Sequence, residues 1–92
     1  MTDGCFLPHP APEARQSAVI LAAIEAMQAT LDIAGALVAE GRRIDLAGLD
    51  EEAGRVCAAA LAAPPAALPI VRRRLEALRD SLDRLRAGLA PP

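Results

Sequence analysis

Side chains able to do chemistry are few in this sequence, and their spacing argues for little. Cys5 and His9 form a C-x3-H pair within the opening MTDGCFLPHPA, and Cys57 is the only other thiol. A structural zinc site takes four ligands, generally with a second close pair, and no such pair is present. Cys57 is expected on the core face of a helix, where a free cysteine behaves as a small hydrophobe. Cys5 has no basic neighbour to favour its thiolate. A small-ligand or metal binder using Cys5, His9 and Cys57 is a remote alternative.

Acid–base and nucleophilic catalysis find almost no inventory. The one histidine is His9, Lys and Tyr are absent, and the hydroxyls are Thr2, Ser17, Thr30 and Ser81. Asp50, Glu51 and Glu52 are explained by position, because the macrodipole favours negative charge near a helix start. Glu25, Gln28 and Asp32 share one helical face, where a solvated row outweighs a polar site. No catalytic, cofactor or metal residue is assigned, and the chain reads as non-enzymatic.

Arg72-Arg73-Arg74 is a basic cluster, and Arg72, Arg79 and Arg86 form a row. Glu76, Asp80 and Asp83 interleave with it, offering pairs such as Asp80–Arg84 and Arg79–Asp83. Phe6 is the only aromatic and the net charge is −2, so there is neither a stacking platform for bases nor a global attraction to phosphate. Nucleic acid is not an expected partner. Charge is nonetheless uneven: residues 68–92 hold six Arg against three acids, and residues 1–67 four Arg against nine. Such a dipole suits complementary association.

These residues must be carried by helices. From Ser17 to Glu40, Ile20, Ile24, Met27, Leu31, Ala34 and Val38 recur at steps of four and three, while Val19, Ala23, Ala26, Ile33 and Leu37 widen the apolar arc. Pro12 suits a first helical position, Ser17 is an alternative cap, and Gly41 is a left-handed stop. A second helix starts after Asp45, places Leu46, Leu49, Ala53, Val56, Cys57 and Ala60 on one face, and ends at Pro64-Pro65. The third carries Val71, Leu75, Leu78, Leu82, Leu85 and Leu89, with Pro69 in its first turn. Leu31, Val56, Leu75, Leu78 and Leu82 are expected to be deeply buried.

The fold expected is all-α, an up-down-up antiparallel three-helix bundle with helices at about 12–40, 46–63 and 66–88, extended by dimerisation into a larger bundle. Residues 1–11 read as an extended or disordered tail and 12–92 as one helical domain. Phe6 and Leu7 are the tail residues able to dock on it.

Residues 18–39 approach the length of a membrane span, but Glu25 and Asp32 interrupt them, at roughly 2.5–3.5 kcal/mol for each central carboxylate. A cleaved signal is disfavoured too, with only Arg15 ahead of the apolar run. Two scattered cysteines fit a reducing cytoplasm, and the Ala/Arg/Gly/Pro bias fits a bacterial source.

What remains is an interaction module. The first helix is much longer than the second and must overhang unless the tail or a partner covers it. Leu21 also lies outside the main arc, and apolar excess of this kind marks interfaces. The expected partner is a second copy, meeting the first through Val19, Ala26, Ile33 and Leu37; the alternative is another helical protein received in an apolar groove. In size and helical content the chain looks like short bacterial secretion or flagellar export chaperones, which implies such an adaptor role; no motif carries residues over.

Overall fold

The computed structural model describes residues 12–89. The tail, with Cys5, His9, Phe6 and Leu7, lies outside the described residues. Within them the chain is all-helical and contains no strand.

Helix α1 spans Pro12–Ala39. Ser17 does not cap it: its hydroxyl donates to the Glu13 carbonyl at 2.9 Å, one turn back. The C-terminus closes as a Schellman turn. The Arg42 N–H donates to the Leu37 carbonyl at 2.9 Å, and the Gly41 N–H to that of Val38 at 2.9 Å. This geometry needs a left-handed residue, and Gly41 supplies it with φ of +80°.

Helix α2 spans Leu46–Ala60, with the Asp45 carboxylate accepting from the Gly48 N–H at 3.0 Å as its N-cap. It stops earlier than the expected residue 63. Leu61, Ala62 and Ala63 donate instead to Ala58, Ala59 and Ala60, tightening the last turn into 3-10 geometry. The following prolines explain this. Pro64 cannot donate, and its ring disfavours helical backbone at Ala63. A single 3-10 turn, Pro65–Ala67, leads into α3, Leu68–Leu89, with Pro69 in the first turn where its missing N–H is harmless.

The core has two parts. Met27, Leu31, Ala34, Ala53, Leu78, Leu82 and Leu85 form one cluster. Ile20, Ile24, Ala60, Ala67 and Val71 form the other. Leu31, Leu78 and Leu82 are deeply buried as expected. Val56 and Leu75 are only half-buried, and each packs against both clusters, so they join the two parts rather than fill either. Cys57 corrects the expected face of α2, because its side is exposed. Asp50, on the same flank of α2, reaches α3 through Arg86, but the two helices touch too sparsely to cover Cys57.

Most packing is between α1 and α3, less between α1 and α2. Glu25 pairs with Arg74 at 3.5 Å, and the Gln28 amide donates to the Ser81 hydroxyl at 2.8 Å. Near the far end, Gly88 approaches Val38. The Gln16 amide donates to the Ala62 carbonyl at 2.8 Å and so ties the start of α1 to the end of α2. The expected overhang of α1 is thus largely met by α3, and the stretch extending beyond it is the mostly polar first turn. By length and composition α1 is also apolar enough to cross a membrane, with a mean hydropathy of 1.5.

Candidate interaction surface

At 100° per residue, the buried seam of α1 occupies one narrow sector: Ile20, Ile24, Met27, Leu31 and Ala34. A second seam repeats the spacing of three and four on the opposite side, roughly 150° away around the helix. It consists of Val19, Ala22, Ala26, Ala29, Ile33 and Ala36, and every one is exposed. Val19 is 69% and Ile33 64% exposed, unusual values for β-branched residues in mid-helix. Ala26 lies midway between them. Leu37, the fourth residue expected at the interface, is half-buried at the edge of the strip.

Sequence reasoning identified Val19, Ala26 and Ile33 as one edge of a very wide arc. The structure divides that arc into two separate seams. Ala22, Ala29 and Ala36 were missed, although their spacing from Val19 and Ile33 was a readable signal. Leu21 is not fully exposed: it is half-buried against the cluster of Ile20, Ile24, Ala60, Ala67 and Val71.

On one side the strip borders the junction with α3. There Glu25, Gln28 and Asp32 line a shallow trough of about 550 Å³ with Arg74, Asp80, Ser81 and Arg84. The row is therefore more than a solvated face of one helix. Gln28 bridges Asp32, at 3.0 Å, and Ser81. Among the described residues no polar or charged side chain is fully buried, and Gln28 and Ser81 are half-buried. Glu25 is matched by Arg74, and Gln28 and Arg84 both meet the Ser81 hydroxyl.

The charges elsewhere also pair differently from expectation. Arg86 meets both Asp83, at 3.4 Å, and Asp50 on α2, at 2.6 Å. Arg84 donates to Ser81 at 3.1 Å rather than pairing with Asp80. Asp50 is thus held by a cross-helix ion pair in addition to its place near the start of α2. Among the described residues no three His, Cys, Asp or Glu side chains group as metal ligands.

The exposed seam is the most distinctive surface of the described chain. No protein family, curated protein or solved structure matches the sequence.

Proposed function

We propose that this chain is a non-enzymatic, cytoplasmic protein-interaction module that associates with a second copy through the outer seam of α1. The observation that carries the reading is the exposure of Val19 and Ile33 on a regular apolar strip facing away from α2 and α3. A surface helix ordinarily presents polar residues on that side. Here, alanines between two branched side chains let another helix approach closely.

Within each copy the helices run up, down and up. The Glu25–Arg74 and Gln28–Ser81 contacts support this order, together with the approach of Gly88 to Val38, because residue numbers rise together along α1 and α3. A soluble state is supported by Glu25 and Asp32 in the middle of α1, each costly in hydrocarbon.

Sedimentation of wild type and Ile33→Glu at several concentrations tests the reading. Wild type is expected to dimerise and the variant to remain monomeric with its helical circular dichroism retained. A wild type that stays monomeric throughout transfers the strip to a different helical partner, the adaptor alternative. A variant that unfolds places Ile33 in the fold itself.

A further inference from the structure

We infer that the two copies pair antiparallel, about a two-fold axis passing close to Ala26, so that Val19 of one copy meets Ile33 of the other. This rests on the proposed self-association and adds its geometry. The two flanks of the strip differ in character. On the α2 side the bordering residues of α1 are Ala23, Thr30 and Leu37, all half-buried and without charge. On the α3 side they include Glu25 and Asp32, both exposed, with Arg74 held 3.5 Å from Glu25.

A two-fold axis perpendicular to the helices brings like flanks together, whereas one parallel to them brings unlike flanks together. The parallel pair would set Thr30 and Leu37 against the carboxylates of Glu25 and Asp32, desolvating charge against an apolar edge. The antiparallel pair sets apolar against apolar on one side. On the other it brings together two edges that each carry both signs. Arg74, level with Glu25 in its own chain, then lies between Glu25 and Asp32 of the other copy. Ala26 meets its counterpart at the centre, where the absence of bulk lets the helices close until Val19 and Ile33 touch at both ends.

Cysteine cross-linking tests this in a Cys5→Ser, Cys57→Ser background. Ala26→Cys is expected to give disulfide-linked dimer alone. Val19→Cys and Ile33→Cys are expected to link only when mixed, since in a parallel pair these positions lie about 21 Å apart along the axis. Self-linking of Val19→Cys would overturn the antiparallel arrangement and leave the dimer standing. Linking of Ala26→Cys alone, with none in the mixture, would overturn the contact of Val19 with Ile33, and a dimer in which neither links would overturn the register. A wild type that sediments as a monomer would overturn both the arrangement and the proposed function beneath it.

Discussion

On one side of α1, Ile20, Ile24, Met27 and Leu31 are each 5% exposed or less; on the other, Val19 and Ile33 stand 69% and 64% exposed among alanines. Both sides follow the same spacing of three and four. Periodicity therefore marks each as a seam but does not say which neighbour closes it. Side-chain volume separates them. Long residues on the inner side interlock with Val71, Leu78, Leu82 and Leu85 of α3, and burying each large aliphatic side chain contributes about 1.5–3 kcal/mol. An alanine strip offers a covering helix little area per residue and a close approach instead. The inner seam suits a fold and the outer seam suits an encounter.

Truncation on the inner side should break this contrast most severely. Met27→Ala or Leu78→Ala, at side chains each 1% exposed, is expected to lose about 2–5 kcal/mol in urea titration, enough to unfold a small domain. Ile33→Ala, measured at concentrations too low for association, should stay within about 0.5 kcal/mol of wild type. An equal loss at both sites would make the outer seam part of the fold.

A smaller effect is expected at Asp45. Removing the cap in Asp45→Ala leaves the Gly48 N–H without its carboxylate and should cost about 1 kcal/mol in thermal melts. Because the loss falls on α2, it should leave sedimentation unchanged, which separates bundle stability from the strip. Smallest of all are the surface arginines. Arg86→Ala breaks two half-exposed ion pairs and should cost no more than about 1 kcal/mol, declining with salt. Arg73→Ala, at an exposed position without an ion pair among the described residues, should be nearly silent in the same titration.

Much of the fold is written locally and was readable. The inner seam of α1 follows from side-chain spacing, its end from Gly41, and the start of α2 from Asp45, because each signal acts within a turn or two. What spacing could not supply is where neighbouring helices sit. Cys57 lies close to Ala53 and Ala60 around α2, yet it is exposed because α3 meets that flank too sparsely to cover it. Spacing pairs Asp83 with Arg79, whereas the structure pairs it with Arg86, whose shorter contact lies on another helix, at Asp50. The division of α1 into two seams was hidden for the same reason, since the placement of α2 and α3 against α1 decides where burial stops.

The only fully buried residues of α2 are Ala53 and Ala60. Methyl groups fasten a helix closely but with little energy, and Leu46, Leu49 and Val56 add only partly covered side chains. Opening free energies differ along a chain according to such attachments. The middle helix is thus expected to come loose first, while Met27, Leu31, Leu78 and Leu82 hold α1 to α3. A chain so fastened is expected to open from the middle of its sequence outward, seen as earlier amide exchange in α2, with the outer seam of α1 as exposed as before.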